Sequence, residues 1–175
     1  MVFSRSVAAV MAAGSLVPTL VSAAATQIKT PAPVIYLADN LDEADGLGWC
    51  IDTVGRGLSD RLHAHSCKSR GGDVQFRFDQ TTGQIASVTF EGKCMARHNP
   101  PDTSKPLRLI QCNDSPQQSF VYQNESQTFR PADEPNLCLT AGSSSRKAGP
   151  FLSRNLGFAT CSENNSLLQR WVIKK

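Results

Sequence analysis

The chain of 175 residues is short of several things, and each shortage argues against a class of function. Net charge is only +3, and the basic residues are scattered rather than clustered. That field is too weak to argue for nucleic acid or an anionic membrane. No apolar run after residue 25 approaches the roughly 20 residues that span a bilayer, so no span is expected in the mature chain. No Cys-x-x-Cys occurs, which speaks against zinc held by cysteines. After the N-terminal segment no long stretch keeps a 3.6-residue apolar period, so no substantial helix is expected. No nucleophile stands beside a base, and no motif places a pair of acids. We therefore expect no catalytic residues, no cofactor, no resident metal and no enzyme.

What is present begins with an export signal. Residues 1–25 carry Arg5 at the positive end, a mostly apolar run over 7–21, and small residues at Val21-Ser22-Ala23 and Ala23-Ala24-Ala25 where cleavage would fall. The run is too short for a membrane anchor. The expected location is therefore secreted, in an oxidising compartment where six cysteines pair. Residues 26–33, with Pro31 and Pro33, read as a loose leader.

The rest is organised by a repeat. Cys50, Cys94 and Cys138 recur at steps of 44 residues, and each is followed by a second cysteine, Cys67, Cys112 and Cys161. An aromatic then follows each pair: Phe76, Phe120 and Trp171. Self-similarity at such a period is the signature of one structural unit used three times. Of the fifteen ways to pair six cysteines, the repeat favours the local one: Cys50–Cys67, Cys94–Cys112 and Cys138–Cys161.

Each unit reads as four short strands. The first has them over 34–38, 49–54, 61–67 and 74–78; the second over 83–88, 93–97, 107–112 and 119–122. The third has them over 127–130, 137–140, 156–161 and 169–173, and its polar run 141–150 reads as a loop insertion. The units span about 34–82, 83–126 and 127–175. Each leaves an apolar face that it cannot bury alone, and three units can bury it together around a pseudo-threefold axis. The expected fold is all-β, a β-trefoil over residues 34–175. A sandwich would explain neither the 44-residue step nor the cysteine pairs.

Three motifs add a resemblance: Cys50-Ile51-Asp52, the alternating strand Leu107 to Cys112, and Gln169-Arg170-Trp171. The second unit holds Gln118-Ser119-Phe120 in place of the last motif, and the first holds Val74-Gln75-Phe76. The chain resembles the ricin B-type lectin domain, a β-trefoil sugar-binding module with a Gln-x-Trp repeat. Phe76, Phe120 and Trp171 read as core, with Gln118 and Gln169 tying backbone groups at the strand bend.

The resemblance implies sugar sites drawn from single units: the Asp of Cys-x-Asp, an aromatic shortly before the second cysteine, and an amide near the Gln-x-Trp start. In the first unit Asp52 matches, His65 and His63 stand near the aromatic position, and Asp73 stands where an amide is expected. In the second unit Ala96 and Ile110 replace the first two, and Gln117 remains. In the third, Thr140, Ala159 and Leu168 replace all three. At most one typical site is implied, in the first unit, with a glycan or glycoprotein as partner. Two plainer readings stand beside it. Asp52 caps a turn, and His63 and His65 are ordinary side chains of an exposed strand. The same His-x-His pattern also permits a metal site with Asp52 or Asp73 as third ligand. At the level of function, the alternative is a β-trefoil that has lost sugar binding and serves as a protein-interaction or inhibitory scaffold, with 141–150 as its contact surface.

Overall fold

A computed structural model describes Met1 and residues 26–41, 43–98 and 105–175. The expected signal over 1–25 lies outside the described residues apart from Met1.

The first third of the fold contributes β1 (Val34–Leu37), β2 (Trp49–Thr53), β3 (Leu62–Ser66) and β4 (Phe76–Asp79). The second contributes β5 (Gln84–Ser87), β6 (Lys93–Ala96), β7 (Arg108–Gln111) and β8 (Phe120–Gln123). The last contributes β9 (Thr128–Pro131), β10 (Leu137–Ala141), β11 (Arg146–Ala148), β12 (Phe151–Arg154), β13 (Leu156–Thr160) and β14 (Trp171–Lys174). Sequences such as Val-Ile-Tyr-Leu and Trp-Val-Ile-Lys fit this state because branched and aromatic side chains pack well on a half-buried pleated surface.

Two kinds of antiparallel pair recur three times. Within each third lies a hairpin: β2–β3, β6–β7 and β10–β13. Between thirds, the last strand of one pairs with the first of the next: β4–β5, β8–β9 and β14–β1. This threefold closure is a β-trefoil. The motif aromatic opens the last strand of every third, so Phe76, Phe120 and Trp171 sit opposite Ser87, Pro131 and Leu37. The residue before each aromatic then accepts an equivalent backbone bond: Val88 N–H to Gln75 O (2.9 Å), Ala132 N–H to Ser119 O (3.0 Å) and Ala38 N–H to Arg170 O (2.8 Å).

All three aromatics are buried in one cluster with Ile35, Leu62, Met95 and Leu139. Phe120 stacks on Phe158 of the neighbouring third at 5.6 Å between ring centres. Each third is pinned by its own disulfide across its hairpin: Cys50–Cys67, Cys94–Cys112 and Cys138–Cys161, with Cα–Cα distances of 5.0, 4.9 and 5.0 Å. The two motif glutamines do the same work in their thirds. Gln118 accepts from Asn113 N–H and donates to Gln111 O, each at 2.9 Å. Gln169 accepts from Ser162 N–H and donates to Thr160 O, each at 3.0 Å. Both amides thus clamp the residues flanking the second cysteine.

Three expectations need correction. The last third holds two strands more than four, because the run read as a loop over 141–150 enters β11 at Arg146. Gly149, with φ of +65°, and Pro150 make a two-residue turn from β11 into β12. Positive φ followed by the fixed negative φ of proline is the order a type II′ hairpin turn requires. Second, residues 26–33 are not loose. Thr30 is fully buried and Lys174 Nζ donates to its carbonyl at 2.7 Å. Third, β4 starts at Phe76 rather than at residue 74. Val74 is fully buried beside the Cys50–Cys67 bridge, off the strand. Helical structure among the described residues is confined to short turns at Pro116–Gln118, Glu163–Asn165 and Ser166–Gln169.

Candidate functional site

Side chains alternate along a strand, so His63 and His65 of β3 share one face. β2 pairs with β3 so that Asp52 sits opposite His63 and Cys50 opposite His65. A directly opposed residue and its diagonal neighbour are both within side-chain reach across a pair. The hairpin therefore brings one carboxylate and two imidazoles to a single point. Asp52 Oδ2 lies 3.4 Å from His65 Nδ1 and 3.9 Å from His63 Nε2. The two imidazole rings are 5.0 Å apart.

Lys68, directly after the disulfide, turns back over this group. Its Nζ is 2.8 Å from Asp52 Oδ2 and 2.7 Å from Asp73 Oδ1, so it bridges the two carboxylates. Burial disfavours charge on Lys68, yet the two carboxylates outweigh that and hold its pKa above the ordinary value. Burial pushes the His65 pKa down, and the Ser66 carbonyl and Asp52 only partly counter it. Asp52 itself has no exposed surface, and His63 and His65 are 6% and 5% exposed. The reading of the two histidines as residues of an exposed strand is therefore corrected.

The cover comes from another third of the molecule. β12 pairs with β3, placing Ser153 opposite His65. Phe151 meets the His65 ring edge-on at 5.4 Å between centres. Ser66 Oγ accepts from Leu152 N–H at 2.9 Å and donates to Asp45 Oδ2 at 2.5 Å. Arg154 pairs with Glu43 and stacks its guanidinium 4.6 Å above the Trp49 ring.

Residues 81–175 match the ricin-type beta-trefoil lectin domain. The chain belongs to this family. No curated protein sequence matches it. Among solved structures, the beta-trefoil lectin of the Vibrio vulnificus hemolysin/cytolysin, with N-acetyl-D-lactosamine bound, is 17% identical, with TM-score 0.53 over 81% of this chain and 91% of that one. The earthworm R-type lectin C-half, in complex with GalNAc, is 14% identical, with TM-score 0.57 over 82% and 98%. GalNAc-T7, with UDP, GalNAc and Mn2+, is 18% identical, with TM-score 0.54 over 83% of this chain. The match spans only 23% of that longer chain. At these identities the likeness is one of fold.

Within this ricin-type domain the three thirds differ sharply. Asp52, His63 and His65 meet directly, and Asp73 joins them through Lys68. In the second third Ala96 is buried and Ile110 half-buried, and the hairpin end is held instead by Arg97 bound to Asp133 (2.5 Å) and Glu134 (2.6 Å). In the last third the Thr140 hydroxyl receives Gln169 Nε2–H at 3.0 Å and donates to Cys138 O. Neither brings imidazoles and a carboxylate together at its hairpin among the described residues.

Sequence reasoning sets Lys68 beside this site, with Arg61 and Arg70, but reads it as solvated surface, and it misses Phe151. Lys68 follows Cys67 directly, and a cation between two acids of one unit is a signal that could have been weighed. Phe151 belongs to a different third, and no spacing within the first unit points to it. His63 also lines a cleft of about 510 Å³, formed with Arg61, Arg146 and Phe158.

Proposed function

We propose that the chain is a secreted carbohydrate-binding module, with a signal at 1–25 and a single recognition domain over 34–175. At most one typical sugar site lies in it, in the first third. One observation carries this reading: only there, among the described residues, do a Cys-x-Asp carboxylate, two imidazoles and a second carboxylate converge. The Lys68 ammonium holds both carboxylates much as a sugar hydroxyl would, donating to acceptors that need donors. A glycan enters by displacing it, meeting Lys68 and Asp73 first because they form the solvent-facing rim. The partner is a glycan or glycoprotein, and the action is recognition without catalysis. A glycan array tests this. Asp52→Ala should abolish binding, and unchanged binding by that variant would move the site elsewhere.

The burial of Asp52, His63 and His65 favours a second reading, a trefoil that has exchanged sugar binding for a role as a protein-interaction or inhibitory scaffold. In that case the hairpin β11–β12, which covers the site, is the contact surface. A blank array, together with a protein partner whose binding is lost when residues 146–150 are replaced by a glycine linker, would decide for it.

A further inference from the structure

We infer that Asp52, His63 and His65 form a binding site for a divalent transition-metal ion of the zinc, cobalt or nickel kind. The sequence alone favours no resident metal, but the geometry supplies three arguments. The first is convergence: one ligand atom from each residue falls within 4.8 Å of the others, and all three residues are buried. The β2–β3 hairpin that carries them is cross-linked by Cys50–Cys67, so the donors are held in place before any ion arrives. Two atoms bound to one tetrahedral zinc at about 2.0–2.1 Å stand roughly 3.4 Å apart. Asp52 Oδ2 and His63 Nε2 are 3.9 Å apart, which a small side-chain rotation closes.

The second argument is an open lone pair. His63 Nε2 is buried and has no hydrogen-bond partner among the described residues. Asp52 Oδ2 beside it is held by the Lys68 ammonium at 2.8 Å. Buried polar atoms in folded proteins nearly always find a partner, and one left open next to a carboxylate points to a missing ion or water. A cation seated between the two takes the His63 lone pair and replaces Lys68 on Asp52.

The third is the support around the ligands. Metal-binding imidazoles usually give their other N–H to a carbonyl or carboxylate, which fixes the ring. His65 Nδ1 lies 3.0 Å from the Ser66 carbonyl, a contact that fixes the ring beside Asp52. Asp52 Oδ1 accepts Thr53 N–H at 2.7 Å, leaving Oδ2 for the ion. Two imidazoles and one carboxylate suit zinc and its neighbours and do not suit calcium, which takes six or more oxygens. Three donors leave one position of a tetrahedral ion open. Lys68 is the resident competitor, and on metal binding its ammonium stays with Asp73 alone. His63 also lines the cleft beside Arg61.

The site does not depend on sugar recognition, and its test is independent of the array. Oxidised full-length protein, freed of metal with a chelator, is titrated with Co2+ by visible absorption and with Zn2+ by calorimetry. One ion per chain should bind, with the absorption of a nitrogen- and oxygen-ligated tetrahedral cobalt. Ca2+ should give no heat. Lys68→Met, which removes the competing cation but no ligand, should tighten Zn2+ binding about tenfold. His63→Gln with His65→Gln should lose the cobalt band, whereas His98→Gln, at the remaining histidine, should keep it. Absence of binding in both wild type and Lys68→Met overturns the inference, as does binding that follows His98, or equal binding of Ca2+. Metal binding beside a blank array would sink the sugar reading and leave this one standing.

Discussion

Val74 occupies the place that Gln118 and Gln169 fill in the other two thirds, and its apolar side chain cannot clamp the backbone beside Cys67. His65 takes over part of that task through the 3.0 Å contact of its Nδ1 with the carbonyl of Ser66, the residue before the second cysteine. Truncating a clamp that remains should be costly. Gln169→Ala strands Ser162 N–H and Thr160 O, and a denaturant titration should show a loss of about 1–3 kcal/mol. Tyr122 gives a pH-dependent test. Burial raises its pKa, and its hydroxyl donates to Trp171 O at 2.7 Å. A phenol with a raised folded pKa keeps its contribution below the unfolded value of about 10, and loses it as pH rises through the folded value. Melting temperature should therefore fall above about pH 10, and Tyr122→Phe should flatten that fall while lowering the melting temperature near neutrality. At this scale the sequence showed which residues gather in the first third, because strand alternation and the Cys-x-Asp position are local. It did not show their burial or the bridging by Lys68, since both depend on how a loop folds back and on what another third lays over it.

Turns and hairpins decide the next level. Gly83 ends the turn between β4 and β5 with φ of +72°, and a Cβ there would stand 2.7 Å from the Phe120 carbonyl oxygen. Gly83 O also receives Phe120 N–H at 2.8 Å, so the backbone cannot draw away without breaking that bond. Gly83→Ala should destabilise by about 1–3 kcal/mol in a thermal or denaturant melt, with the fold retained. The β11–β12 hairpin was illegible as an element. Ser143, Ser144, Ser145 and Arg146 read as solvated loop, and Gly149-Pro150 reads as the end of one. What makes strands of the flanks is the open edge of β3, which accepts β12 through pairs at His65 and Ala64. Local sequence carries no record of an edge that arrives from residues 62–66.

The threefold body itself was legible, because its signals repeat: cysteines at a fixed step, an aromatic after each pair, and glutamines in two of three places. Chain closure by disulfides of 17, 18 and 23 residues should contribute about 3 kcal/mol each in the chain-entropy account, with little difference among them. Burial separates them. Cys50 and Cys67 are both in the interior, whereas Cys112 and Cys161 are partly exposed. Replacing both cysteines of a pair by alanine should therefore cost most at Cys50–Cys67, and a set of three denaturant curves checks the order.

The seam between β1 and β14 joins the first strand to the last, with Val34 opposite Lys174. A polypeptide delivered from its N-terminus has its opening strand ready long before the strand that flanks it on this side exists. Until Trp171–Lys174 emerge, Val34–Leu37 present on this side an unpaired row of amides that any other extended segment can occupy. Closure of the threefold body is thus deferred until β14 has been delivered, and cellular handling must keep one sticky edge from finding the wrong neighbour while it waits.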